Sequence, residues 1–258
     1  MADPDGGARA AHKGQAWLVL PTFNEAGNLE PIVRETLANL PPDARILIVD
    51  DNSPDGTGEI ADRLAAELPV EVLHRRGKEG LASAYIAGFK YVLERGAELV
   101  LQMDADFSHD PRDLRRLVET SERADLVLGS RYVPGGGVTD WGRIRRAISR
   151  GGSAYARLTL GIDVQDLTGG FKCFHRRVLE AIDLDQISSQ GYAFQVETTY
   201  RALQAGFEVL EIPIVFRDRR VGESKMSRAI VLEAAWRVPL LRRAGRISRT
   251  AGRRSGWR

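Results

Sequence analysis

The chain has 258 residues, 43% of them apolar and 28% charged, with a formal net charge of +2. That length suits one large α/β domain or two small ones with a sizeable core, and a single cysteine, Cys173, excludes an internal disulfide framework or a cysteine-based metal cluster. No run of 18 apolar residues predicts a membrane-spanning helix, and the start of the chain, Met1 to Gly14, lacks an apolar signal core and reads as a disordered polar tail. These features predict a cytoplasmic protein, with attachment to a membrane surface left open. The charge is unevenly spread, since Arg237 to Arg258 holds eight Arg and no acid.

In chain order, Ala16 to Leu20 reads as a buried parallel strand ending in Pro21-Thr22-Phe23-Asn24-Glu25. Gly27 and Asn28 open a helix whose apolar residues, Leu29, Ile32, Val33, Leu37 and Leu40, recur at helical spacing until Pro41-Pro42. Ile46 to Val49 is a second strand, ending in Asp50-Asp51-Asn52-Ser53-Pro54-Asp55-Gly56-Thr57, with a helix to Leu68. Val70 to Leu73 is a third, followed by His74-Arg75-Arg76 and a helix over Leu81 to Glu94. Leu99 to Met103 is a fourth and runs into Asp104-Ala105-Asp106-Phe107-Ser108-His109, with Asp110 as helix cap and Pro111 at the first helical position. Asp125 to Arg131 is a fifth strand. Beyond Tyr132 come a Gly135-Gly136-Gly137 turn, a basic helix from Arg143 to Arg150, strands at Phe171 to Phe174 and Phe207 to Phe216, and a helix from Phe194 to Gln204 stopped by Gly206.

The repeated strand, polar loop, helix rhythm predicts βαβ units and a mostly parallel sheet flanked by helices. Ligands then bind beyond the carboxyl ends of the strands. Three acidic clusters converge there. Asp104 and Asp106, read as alternate residues of an extended chain, face one ligand, and a divalent cation with phosphate oxygens resolves their repulsion. Asp51 suits a ribose, Phe23 offers a face and Glu25 an acceptor, while Asn24, Ser53 and Asp55 also suit helix capping. Arg131 ends the fifth strand, and Arg145, Ser149, Arg150, Arg219, Arg220 and Lys225 supply donors for an anionic second substrate. No Gly-x-Gly-x-x-Gly or phosphate-loop motif occurs. An aspartyl phosphotransferase also places its acid at a strand end, but carries the pair after the first strand rather than the fourth.

Pro-Thr-Phe-Asn-Glu, Asp-Asp-Asn-Ser-Pro-Asp-Gly-Thr, Asp-Ala-Asp-Phe-Ser-His-Asp-Pro, Gly-Ser-Arg-Tyr-Val-Pro-Gly-Gly, Asp-x-Thr-Gly-Gly-Phe, Gly-Tyr-Ala-Phe-Gln-Val-Glu and Arg-x-x-Gly-Glu-Ser-Lys-Met occur in this order between about Trp17 and Lys225. In this the chain resembles the family 2 glycosyltransferases, and within them the polyprenyl-phosphate (dolichyl-phosphate) mannosyltransferases. The resemblance implies a GT-A fold over residues 15–225 and transfer of mannose from GDP-mannose to a polyprenyl phosphate with inversion. It implies donor binding by Pro21, Phe23, Glu25, Val49, Asp51, Asp104, Ala105 and Asp106. Mg2+ or Mn2+ falls to Asp104, Asp106 and Ser108, and the acceptor phosphate to Arg131, Arg145, Ser149, Arg219 and Lys225. Two positions depart from the pattern. Ser108 is Gln in some relatives, and Gly169-Gly170 replaces a commoner Ser-Gly.

A lipid acceptor makes apolar surface relevant. Ile144, Ala147, Ile148, Tyr155 and Leu158 lie at helical spacing among the Arg residues, and Met226 to Leu241 forms another such stretch. Residues 226–258 are expected to be an amphipathic helix and an Arg-rich membrane-surface tail, although the same spacing serves packing on the core. Without an aromatic platform, the basic tail is not read as binding nucleic acid. A membrane-anchoring protein partner is plausible. Transfer of another sugar, such as glucose from UDP-glucose, and a non-catalytic nucleotide-sugar-binding membrane adaptor remain the alternatives.

Overall fold

Strands buried on both faces read as near-continuous apolar runs, as the predicted strands through Ala16, Ile46, Leu99 and Leu126 do, whereas Val70 to Leu73 is interrupted by Glu71 and only partly buried. The computed structural model describes residues 15–217 and 236–243. β1 (Ala16–Thr22), α1 (Leu29–Leu37), β2 (Arg45–Asp50), α2 (Thr57–Glu67), β3 (Val70–His74), α3 (Leu81–Glu94), β4 (Leu99–Gln102), α4 (Asp113–Ser121) and β5 (Leu126–Ser130) keep the predicted alternation. β6 (Gly137–Val138), α5 (Arg143–Leu160), β7 (Lys172–His175), α6 (Arg176–Ala181), α7 (Gly191–Gln204), β8 (Val209–Pro213) and β9 (Val215–Phe216) follow.

Seven strands form one sheet in the order β3-β2-β1-β4-β7-β5-β8. All neighbours are parallel except β7, which runs antiparallel to both β4 and β5. It enters at the edge where β4 leaves, so Gln102 pairs with Lys172. Successive side chains of β1 feed opposite faces: Trp17 and Val19 join Tyr85, Phe89 and Phe194 from α3 and α7, whereas Leu18 and Leu20 join Leu29, Ile32 and Leu114 from α1 and α4. Both faces are therefore covered by helices, as the sequence predicts.

Several expectations are corrected. Asp110 does not cap α4, which begins at Asp113. Its carboxylate accepts the Arg112 N–H at 3.1 Å and its carbonyl the Asp113 N–H at 3.0 Å, closing a turn through Pro111 before the helix starts. The chain beyond Gln102 is not extended: it bends, with Phe107 at a φ of 60°. The alternate-residue argument for Asp104 and Asp106 therefore fails, and their placement comes from the bend. The strand expected over 207–216 is two strands, because the chain switches partner at Ile214, whose N–H still donates to the Ser130 carbonyl of β5 while its carbonyl accepts the Gly137 N–H. α5 runs on to Leu160 and α7 starts at Gly191. Residues 1–14, Arg219, Arg220 and Lys225 lie outside the described residues, as does the C-terminal stretch apart from a helical segment at 236–243. That segment buries Val238 and exposes Trp236.

Candidate active site

The β1 and β2 loops are stitched together by short polar side chains. Ser53 Oγ donates to Asp50 Oδ1 at 2.6 Å and accepts the Asn24 N–H at 3.1 Å. Asp55 accepts the Ala26 N–H, and Thr57 Oγ1 accepts the Glu25 N–H at 2.9 Å. Ser53 thus joins the two loops, while Asp55 both joins them and accepts the N–H of Thr57, the first residue of α2, at 3.1 Å. Asp50 is structural, taking Thr22 Oγ1 as well as the Ser53 N–H. Asp51 is the buried carboxylate next to it. Burial pushes its carboxyl up, opposed by the Arg75 guanidinium, whose Nη1 donates to it at 2.6 Å. Arg75 also reaches Ser83 at the start of α3. Phe23 and Pro21 are half-buried beside these loops, and Lys78 Nζ sits 4.0 Å over the Phe23 ring. Val49 is fully buried in β2, and Glu25 Oε2 accepts the Asn28 amide at 2.9 Å.

On the next strand, Asp104 is half-buried while Ala105, Asp106 and Ser108 are buried. The Tyr85 hydroxyl donates to Asp104 Oδ1 at 3.1 Å. Burial, then Asp104 and Asp106, hold that phenol well above its ordinary value, so it stays a donor. Asp106 Oδ1 accepts the Ser108 N–H at 3.0 Å, and Ser108 Oγ is buried with no partner among the described residues. Nδ1 of His109 accepts the Asp104 N–H at 3.5 Å, and burial pulls this imidazole down to about 4. Its ring stacks on Phe171 at 4.9 Å. Two carboxylates and an orphaned hydroxyl form an all-oxygen donor set of the kind hard divalent cations take. Among the described residues no group of three or more His, Cys, Asp or Glu could hold a metal alone. Such a cation would need further oxygens, as a diphosphate provides.

Arg131 follows directly on β5 at this edge of the sheet, and it is not free. Asp166 grips it by Nε at 2.6 Å, Nη2 at 2.7 Å and the backbone N–H at 3.0 Å, and Thr168 adds a fourth bond. Burial disfavours the Asp166 carboxylate, yet Arg131 and these bonds hold its carboxyl below the usual range. Glu211 on β8 in turn accepts the Gln165 and Asp166 N–H groups. Ser149 on α5 accepts the Tyr132 hydroxyl at 2.6 Å, and Arg145 lies 4.2 Å from the Trp141 ring centroid. A Cβ at Gly169 would come 3.3 Å from the Gly129 carbonyl, so this backbone leaves little room for the commoner Ser.

The helix predicted over Leu81 to Glu94 gives no sign in sequence that its Tyr85 hydroxyl reaches Asp104. Asp166 opens the Asp-x-Thr-Gly-Gly-Phe motif, and its grip on Arg131 is visible only in the fold. Lys172 falls inside the strand predicted at Phe171 to Phe174, and its ammonium is fully buried and donates to the Gln195 carbonyl, Thr198 and Thr199. A charge inside a strand was the signal available there.

A doubly covered, mostly parallel sheet with acidic loops at its carboxyl edge and one antiparallel strand inserted beside them defines a GT-A glycosyltransferase domain. The chain belongs to glycosyl transferase family 2, whose model matches residues 17–183. It is 49% identical over 221 residues to an undecaprenyl-phosphate mannosyltransferase of Micrococcus luteus, covering 85% of this chain and 90% of that one. It is 44% identical over 238 residues to a polyprenol monophosphomannose synthase of Mycolicibacterium smegmatis, covering 91% and 89%. The fold is that of glucosyl-3-phosphoglycerate synthase from Mycobacterium tuberculosis in complex with Mn2+, UDP-glucose and phosphoglyceric acid, with a TM-score of 0.65, 19% identity and coverage of 90% and 83%. A structure of that enzyme with Mg2+ and UDP gives a TM-score of 0.66 and 19% identity.

Proposed function

We propose that this glycosyltransferase moves mannose from GDP-mannose to the phosphate of a polyprenyl (dolichyl-type) monophosphate, with inversion, at the cytoplasmic face of a membrane. The observation that carries the reading is the 44–49% identity, over most of each chain, to two relatives named for mannose and a polyprenyl phosphate. The acidic β4 loop beside a basic β5 end is consistent with it.

Donor binding falls to Pro21, Phe23, Glu25, Val49 and Asp51, with Asp104, Ala105 and Asp106 at the diphosphate. Asp104, Asp106 and Ser108 would hold Mg2+ or Mn2+, and when bound the cation supplies charge neutralisation for the departing nucleoside diphosphate. Arg131, Arg145 and Ser149 hold the acceptor phosphate, completed by Arg219 and Lys225. A phosphate monoester is already ionised near neutral pH, so its oxygen attacks without a strong general base. Catalysis then lies in alignment and charge balance.

A peripheral membrane position has its own support. On α5, Ile144 is 78% and Leu158 75% exposed, with Ile148 and Tyr155 also exposed along the helix. Arg143, Arg146 and Arg150 are exposed among them. Core packing therefore does not use these residues, and a basic amphipathic surface suits an anionic bilayer. No helix among the described residues is long and apolar enough to cross a membrane. The Arg-rich 226–258 stretch would add to the same contact. Sedimentation with anionic vesicles, with and without residues 226–258, tests that part; equal binding removes the tail's role. The donor is tested by offering GDP-[14C]mannose and UDP-[14C]glucose in parallel. Lipid-soluble counts from the first alone are expected, and counts from the second alone would replace mannose by glucose.

A further inference from the structure

α5 carries its charges against its own dipole. A helix N-terminus is electropositive and favours acids, yet the first turn of α5 has no acid and no side-chain cap. It holds Arg143, Arg145 and Arg146 instead. An anion at this point would relieve both the dipole and the clustered cations.

A second, independent feature lies immediately before the helix. Trp141 is 8% exposed, and its indole Nε1 is buried without an acceptor among the described residues. A buried indole N–H ordinarily finds a partner. The ring is held from several sides: Phe216 meets it edge-on at 5.4 Å and 70°, the Arg145 guanidinium lies 4.2 Å from its centroid, and that of Arg131 lies 5.7 Å away. Phe216 also packs edge-on against His109 at 5.1 Å, next to the Asp104 to Ser108 loop. Trp141 therefore has two guanidinium groups at 4.2 Å and 5.7 Å from its ring centroid and lies one ring contact from the acidic loop, and its buried N–H has no acceptor among the described residues.

We propose that Trp141 belongs to the acceptor end of the site. Its indole N–H donates to an oxygen of the acceptor phosphate, and its ring sets the position of Arg145. The inference rests on the reading that the acceptor is a polyprenyl monophosphate.

Trp141→Phe keeps a ring for Arg145 and Phe216 but removes the N–H. The test uses the full chain with GDP-mannose, a divalent cation and a short-chain polyprenyl phosphate, with calorimetric titration of that lipid phosphate alongside the kinetics. The expected result is an acceptor KM raised about tenfold or more, the scale of one hydrogen bond to a charged oxygen. Acceptor affinity should weaken in parallel, with donor KM and melting temperature unchanged. An acceptor KM within about twofold of the parent would overturn the proposal, as would a matched rise in donor and acceptor KM with a lowered melting temperature, which marks a packing role. If the parent protein neither binds nor glycosylates the lipid phosphate while still binding GDP-mannose, the acceptor reading falls and the Trp141 inference falls with it. A parent that turns over beside an unaffected Trp141→Phe variant condemns the inference alone.

Discussion

Replacing Asp166 by Asn keeps the shape of the side chain and removes the counter-charge of a buried cation. Arg131 has side-chain exposure of 4% and Asp166 of 0%, and their ion pair closes at 2.6 Å. Three of the bonds around Arg131 end on this one carboxylate. Removing one partner of such a pair leaves an uncompensated buried charge and costs about 3–5 kcal/mol. At about 2–4 °C per kcal/mol for a chain of this size, the melting temperature should fall by about 6–20 °C. Thermal and urea unfolding followed by circular dichroism read this directly. The pH dependence has a definite sign. Asp166 has a depressed folded pKa, so its contribution is complete above the unfolded carboxyl value of about 3.9 and is lost as pH falls through the folded value. The gap between parent and variant should therefore be constant near neutrality and narrow only in strong acid. Arg131→Met/Asp166→Leu removes both charges and should recover much of the stability while leaving no transfer to the lipid phosphate. A single Asp166→Asn variant melting within about 2 °C of the parent would refute the account, because a desolvated pair cannot lose one charge so cheaply.

Three further outcomes follow from the same geometry. Asp106→Ala should fold normally and lose transfer; near-normal turnover by a folded variant would sink its assignment. Tyr85→Phe removes the hydroxyl that donates to Asp104; a bond to a charged group is worth about 1.5–3 kcal/mol, so steady-state assays should show transfer reduced about tenfold or more, and an unchanged rate would make the contact incidental. Gly88→Ala should destabilise by about 1–3 kcal/mol through overpacking, because its Cβ would lie 2.5 Å from Val19 Cγ1 and 3.1 Å from Val49 Cγ2; urea unfolding with no shift in midpoint would contradict the packing described.

The parallel half of the fold was legible because its signals are local. β1, β2, β4 and β5 are largely apolar runs, β3 is a short stretch interrupted by Glu71, and α1 to α3 carry helical spacing, so local pattern places them. β7 was not legible in the same way. Phe171 to Phe174 reads as a strand, but its insertion between β4 and β5 is a non-local pairing that no window of sequence contains. The site divides similarly. Asp51, Asp104, Asp106 and Arg131 end strands and announce themselves. Of the partners that position them, His109 is local to the Asp104 loop, whereas Arg75, Tyr85 and Asp166 come from elsewhere in the chain and meet them only when the sheet is assembled. Asp110 misled because an Asp-Pro pair suits both a helix start and a turn, and here Asp110 closes the turn.

The central claim is the bond formed between mannose and a lipid phosphate. Incubating the full chain with GDP-mannose, Mg2+ or Mn2+ and a polyprenyl monophosphate, then weighing the extracted lipid by mass spectrometry, tests it most directly. The account predicts one hexose added to the lipid phosphate and an equal amount of GDP released. GDP-mannose bound but the lipid unmodified, or hexose gained only from UDP-glucose, would contradict it.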